Sequence, residues 1–159
     1  MSYLIRLATR ADISSVASVL LQSFLEYEAS YTREAFAATI STSTELEHRL
    51  VEGPVWIAVE NDTVIGTVSV VPFGEALLIR SLAVIPRNRG QGLGELLLHH
   101  VEKYACKNRY SRLFLSTTPF LTPAIRLYER CGFQRSNEGP NDRLGTQIFT
   151  MTKQLKSKP

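Results

Sequence analysis

Val84-Ile85-Pro86-Arg87-Asn88-Arg89-Gly90-Gln91-Gly92-Leu93-Gly94-Glu95 is the stretch on which the fold turns. Before it, Ala76 to Val84 is an apolar run too continuous to alternate, which predicts a central strand buried on both faces. After it, Leu93, Leu97, Val101, Tyr104 and Ala105 recur at helical spacing, and Asn108 is a reasonable stop. Between strand and helix, three glycines in five residues let the backbone approach a ligand closely. The first free N–H groups of the helix and the positive end of its dipole point outward there, so the loop suits an oxyanion. Arg87 and Arg89 add charge-assisted donors of the right sign. Glycine-rich loops also simply turn corners, so the surrounding chain decides.

Two familiar phosphate loops do not fit. A Walker loop needs Gly-Lys-Ser/Thr, which is absent, and the dinucleotide fingerprint needs a following βαβ unit with an acidic residue about twenty positions on. Tyr110 to Leu115 carries no carboxylate. The loop also follows a meander rather than a first parallel strand. Gly53-Pro54 halts a preceding helix, Val55–Glu60 and Thr63–Val71 flank an Asn61-Asp62 turn, and Pro72-Phe73-Gly74 leads into Ala76–Val84.

Further upstream, Leu4–Ala8 reads as a strand, with Thr9 and Asp12 as a capping box for a helix whose apolar face is Ile13, Val16, Leu20 and Phe24. Between Tyr31 and Leu50 the pattern weakens. Phe36 and Ile40 suit a short helix, Ser41–Thr44 a loop, and Leu46 and Leu50 another turn or two. Downstream, Arg112–Thr117 is a strand, and Thr122 caps a helix with Pro123 at its first position, ended by Gly132. Phe133–Ser136 and Gly145–Leu155 then make a closing antiparallel pair around the polar loop Asn137–Leu144. The order βααβββαβαββ predicts a mixed α/β sheet with helices on both faces.

Length and composition bound the function. The chain has 159 residues, 44% hydrophobic and 21% charged, which predicts one globular domain over residues 1–159. Its apolar runs are too short to span a bilayer, and the N-terminus lacks an export signal, so a cytoplasmic location and no membrane partner are expected. The formal charge of +3 comes without a basic stripe interleaved with aromatics, so no nucleic-acid partner is expected. Cys106 and Cys131 are too few and too far apart for a metal site or disulfide framework, and read as buried reduced thiols. No metal is expected.

Arg89-Gly90-Gln91-Gly92-Leu93-Gly94 resembles the R-x-x-G-x-G signature of the GNAT superfamily of N-acetyltransferases, preceded by Leu82-Ala83-Val84 on its fourth strand. Ala124-Ile125-Arg126-Leu127-Tyr128-Glu129-Arg130-Cys131-Gly132-Phe133 is similar to the family's A-x-x-L-Y-x-x-x-G-F segment. Ile5 to Thr9 with Asp12 is also typical. The resemblance covers nearly the whole chain and implies a mostly antiparallel sheet splayed between its fourth and fifth strands, with acetyl-CoA in the splay.

It further implies that backbone N–H groups of Gly90, Gln91, Gly92, Leu93, Gly94 and Glu95 hold the pyrophosphate, helped by the side chains of Arg87 and Arg89. Leu82, Ala83 and Val84 pair with the pantetheine arm, and a backbone N–H near Leu82 or Ala83, at a bulge, faces the thioester oxygen. Ala124 and Thr117 complete the cofactor contacts, with Thr117, Thr118 or Thr122 as the replacement for an asparagine that relatives carry where this chain has Leu121. Arg126 and Arg130 read first as solvated surface. Tyr128 is the expected general acid toward the departing thiolate. The family's usual glutamate base is replaced by Leu78, so Glu75, close in sequence, is the catalytic candidate, with Glu26, Glu28 and His48 as others.

The implied enzyme is an acyltransferase moving acetyl from acetyl-CoA to a primary amine by direct attack in a ternary complex. Glu26, Tyr27 and Glu28 near the acceptor pocket hint at a cationic or amino-acid-like small molecule. A protein N-terminal or lysine acetyltransferase, or a degenerate acyl-CoA-binding sensor favoured by Leu78 and Leu121, are the alternatives. An edge strand near the C-terminus is suited to a homodimer.

Overall fold

The computed structural model describes residues 3–156. Strand β1 (Leu4–Leu7) is followed by a short 3-10 turn and helix α1 (Ile13–Phe24). A second 3-10 turn (Leu25–Ser30) leads to α2 (Arg33–Ile40) and α3 (Ser43–Glu52). The meander is β2 (Val55–Glu60), β3 (Thr63–Phe73) and β4 (Ala76–Val84), then α4 (Leu93–Lys107), β5 (Arg112–Thr117) and α5 (Thr122–Arg130). Short strands β6 (Gln134–Ser136), β7 (Asp142–Arg143) and β8 (Thr146–Gln147) precede β9 (Phe149–Gln154).

Seven strands form one sheet in the order β1-β2-β3-β4-β5-β9-β6, antiparallel throughout except for β4 with β5. The hairpin between β2 and β3 turns at Asn61 and Asp62, both with positive φ, the conformation that matches the twist of paired strands. Alternation along β2 and β3 separates the two helical layers. Val55, Thr67 and Ser69 face Ile13, Val16 and Leu20 of α1 and Leu46 of α3. Trp56 stacks edge-on with His100 and Tyr104 of α4, and Gly66 lies under Leu93 and Leu97 of the same helix. Residues 65–70 are therefore buried on both faces, as the unbroken apolar pattern requires.

Four differences from the sequence reading have local causes. Helix α3 is a full ten residues, because Thr42 and Glu45 form a reciprocal capping box that starts it at Ser43. The polar loop contains the β7–β8 hairpin, which splits the expected Gly145–Leu155 strand. Residue Leu121, not Thr122, precedes the first turn of α5. Cys106 and Cys131 are free but only half-buried.

At the start of the chain, Arg6 holds Asp12 through Nη1–Oδ2 at 2.9 Å and Nη2–Oδ1 at 3.0 Å, while the Thr9 N–H donates to Asp12 at 2.8 Å. The Arg6 guanidinium, foremost, lowers the Asp12 carboxyl to about 2. A carboxyl with a depressed folded pKa stabilises above its unfolded value, near 4, and that contribution is lost as pH falls toward about 2. Urea unfolding at pH 5 and pH 2.5 is expected to show a smaller acid loss for Asp12→Asn than for the parent chain. Equal losses would detach Asp12 from acid unfolding.

Candidate active site

Strands β4 and β5 run side by side only from Ala76 opposite Arg112 to Leu78 opposite Phe114. Beyond that point they part, leaving the Leu82–Val84 edge without a strand partner on that side. The gap opens into a cleft of about 510 Å³, walled by Leu82, Ala83 and Val84, the glycine loop, the start of α5 and the end of α1. A splayed sheet thus exposes main-chain donors and acceptors along one wall, which suits an extended amide-bearing ligand.

The three loop glycines do two different jobs. Gly90 and Gly92 have φ of +78° and +79°, and a Cβ on either would meet nothing within 4 Å. They are glycine for backbone conformation, and the space beside them stays open. Gly92 is the left-handed residue capping α4, whose first-turn N–H groups therefore face the cleft. At Gly94, by contrast, a Cβ would sit 2.8 Å from Leu127 Cδ2. This glycine lets α4 and α5 close together, and so brings the phosphate-type loop beside Tyr128.

The opposite wall carries a second backbone device. Of the described non-glycine residues with positive φ, Ser81 alone lies within a strand, at +58°. Thr67 pairs with Ala83 but Ser69 with Arg80, so one extra residue is accommodated in β4. This bulge rotates the chain just before Leu82 and frees ladder groups there.

Tyr128 lines the cleft with only 8% of its surface exposed, its ring 5.9 Å from that of Phe133. Burial, and next the neighbouring Tyr31, push its phenol well above the ordinary value. The hydroxyl is therefore protonated throughout the physiological range. Arg89, Arg126 and Arg130 line the same cleft, Arg89 and Arg130 in ion pairs with Glu26 and Glu95, so that among the described residues Arg126 and the helix terminus supply its unpaired positive charge. Asn88 and Ser23 also line it, and each has a buried oxygen, Oδ1 and Oγ, without a partner among the described residues. Open glycines, a free strand edge, cations and unpaired polar atoms fit a diphosphate with an amide-rich tail.

Residues 17–133 match the acetyltransferase (GNAT) family. The chain belongs to that family. A Schizosaccharomyces pombe protein described as an uncharacterized N-acetyltransferase is 40% identical over 77 residues, 47% of this chain and 47% of its own. A mouse protein named probable N-acetyltransferase family 8 member 5 is 35% identical over 92 residues, 54% of this chain and 40% of its own. The chain thus spans less than half the length of these two relatives. The PaiA N-acetyltransferase of Thermoplasma acidophilum, solved in complex with coenzyme A, shares the fold, with a TM-score of 0.84 at 19% identity over 98% of this chain and 100% of that one.

Within this GNAT cleft lie the expected Leu82, Ala83, Val84, Arg89, Gly90, Gly92, Leu93, Gly94, Glu95, Ala124 and Tyr128. Several expectations need correction. Glu75 sits in the turn before β4, about 20 Å along the strand from Leu82; its carbonyl binds Ser111. The exposed Arg87 side chain lies outside the cleft lining, whereas the Gln91 side chain accepts from the Tyr3 hydroxyl and leaves the expectation for its backbone N–H as it stood. Thr117 is buried in the sheet opposite Phe149. Arg89 is tied to the end of α1, donating to the Ser23 carbonyl at 2.8 Å and to the Glu26 carboxylate. Glu28 and His48 are exposed and outside the lining.

Arg126 and Arg130, read as solvated surface, are exposed, and both also border the cleft. Arg130 is reached at 3.2 Å by Glu95 from the first turn of α4. Tyr27 and Leu121 were missing from the expected cofactor contacts and line it too. Helical spacing marks Arg126 and Arg130 four apart on one face of α5, a signal that shows shared orientation without showing toward what.

Proposed function

We propose that this chain transfers acetyl from acetyl-CoA to a primary amine by direct attack within a ternary complex. The observation that carries this reading is the parting of β4 from β5 directly beneath the glycine-capped start of α4. The α4 N–H groups and Arg126 hold the diphosphate, and the free β4 edge at Leu82–Val84 takes the pantetheine amides. Acetyl-CoA supplies the activated acyl group.

The bulge at Ser81 turns a main-chain N–H near Leu82 or Ala83 toward the thioester oxygen, where negative charge develops. Tyr128 donates its proton toward the departing sulfur. Glu26 and Glu95 are each ion-paired, with Arg89 and Arg130, so the attacking amine gives its proton to water rather than to either carboxylate. A thiol-release screen over amines, amino acids, polyamines and peptides tests the reading, alongside calorimetry with CoA. Turnover of an amine with CoA binding at the cleft is expected. CoA binding without thiol release for any amine would leave a sensor module in its place.

A further inference from the structure

We propose that Arg49 is a positioning residue for the transfer: its guanidinium holds Ser81 in the left-handed conformation and so aims the main-chain N–H groups that follow, at Leu82 and Ala83, toward the thioester oxygen. The proposal rests on the N-acetyltransferase reading and adds what keeps that part of the site in shape.

Successive side chains of a strand point to opposite faces of the sheet. Arg80 pairs with Ser69 of β3, and Ser69 faces α1 and α3, so regular pairing would turn Ser81 toward α4. Ser81 instead lines a small cavity under α1 and α3, together with Thr67, Ser69 and Arg49. The bulge thus brings Arg80 and Ser81 to the same face, and α3 holds each of them. Arg80 Nη2 donates to Glu52 Oε1 at 2.7 Å, and Arg49 Nη1 donates to the Ser81 hydroxyl. Arg49 and Glu52 are three residues apart and share one face of α3. From the neighbouring strand, Ser69 Oγ donates to the Arg80 carbonyl at 3.0 Å, which fastens the chain on the near side of the bulge.

A residue other than glycine at φ +58° inside a strand persists only where its surroundings hold it. Among the described residues, Arg49 is the hydrogen-bond partner of the Ser81 hydroxyl. The cavity between them measures about 10 Å³, scarcely the room of one water, so the guanidinium meets Ser81 directly. Arg49 is half-buried and in no ion pair among the described residues. Glu45 accepts from the Thr42 N–H at 3.0 Å, and Glu52 is taken by Arg80. Burial foremost lowers the Arg49 guanidinium to about 10, so it remains a charged donor at neutral pH. A half-buried cation without a counterion costs stability. Its bond fixes the backbone one residue before Leu82, the first of the three strand residues that wall the cleft.

The test is a cycle of variants in thiol release. Arg49→Met keeps an apolar stem and removes the donor, and is expected to lower kcat about 10- to 30-fold with the amine KM and the Kd for CoA within about three-fold of the parent, because an oxyanion donor acts on the transition state. Ser81→Ala removes the acceptor and should lose as much, with the double variant little worse than either. Glycine takes the left-handed conformation unaided, so the Arg49→Met, Ser81→Gly double variant is expected to recover kcat to within about three-fold of Ser81→Gly alone. A loss carried by KM or by CoA affinity, or a kcat loss that glycine does not rescue, overturns the proposal and leaves the acetyltransferase reading intact. If Arg49→Met does not fold, Ser81→Ala against Ser81→Gly decides: alanine slower supports the proposal, and equal kcat overturns it. Thiol release from no amine in the parent chain overturns the acetyltransferase reading and this role with it.

Discussion

Tyr128→Phe is expected to lower turnover by about 10²-fold while leaving the Kd for CoA within about two-fold of the parent. The ring keeps its contact with Phe133, so the variant loses one hydroxyl and little packing. An unperturbed thiol near 8.5 and phenol near 10 already disfavour proton transfer by roughly 1.5 units. Burial and Tyr31 widen the gap by raising the phenol. In the proposed reaction Tyr128 is then a hydrogen-bond donor whose proton moves only as the carbon–sulfur bond breaks.

A pH consequence follows from the sign of that shift. Because the phenol is raised, its neutral form persists above the ordinary tyrosine range, and its ionisation makes no alkaline decline in kcat below about pH 10. Thiol-release kinetics across pH 6 to 10 on both proteins check this. Unchanged turnover in the phenylalanine variant would remove Tyr128 from the chemistry.

The sheet, its meander and the strand–loop–helix unit around Gly90 were legible because burial on both faces writes a continuous apolar run, and a left-handed turn demands glycine. The β4 bulge was expected only by family resemblance, since Ser81 carries no local signal for positive φ. Helix α3 was underread although Thr42 and Glu45 spell a capping box. The short apolar content of that segment masked it, because α3 buries little more than Leu46. The β7–β8 hairpin was invisible for a different reason. Its strands are two residues each, and what holds it is a long-range contact with Thr32 that no sequence window contains. The same logic separates the site residues. The Gly90–Gly94 backbone was singled out through conformation and the Leu82–Val84 edge through family resemblance, whereas Arg126 and Arg130 look like any solvated arginine until the fold sets them beside the cleft.

Gly92→Asp against Gly92→Asn isolates the electrostatic part of cofactor binding. Both side chains tolerate the left-handed backbone better than other residues, and both are favourable at a helix N-cap. Aspartate adds a further helix-stabilising interaction with the dipole. The melting temperature of Gly92→Asp is therefore expected to match or exceed that of Gly92→Asn. Binding should move the other way. Two unit charges 4 Å apart at an effective dielectric of 20 repel by about 4 kcal/mol, and a diphosphate presents more than one. After salt screening, a loss of about 10²-fold in CoA affinity is expected for aspartate, against a few-fold for asparagine. Raising the ionic strength should narrow the difference between the two. Calorimetry with CoA measures both arms, and equal affinities would mean that the start of α4 does not face the diphosphate. A helix made more stable by the same carboxylate that expels its ligand would show that Gly92 is kept bare for binding rather than for folding.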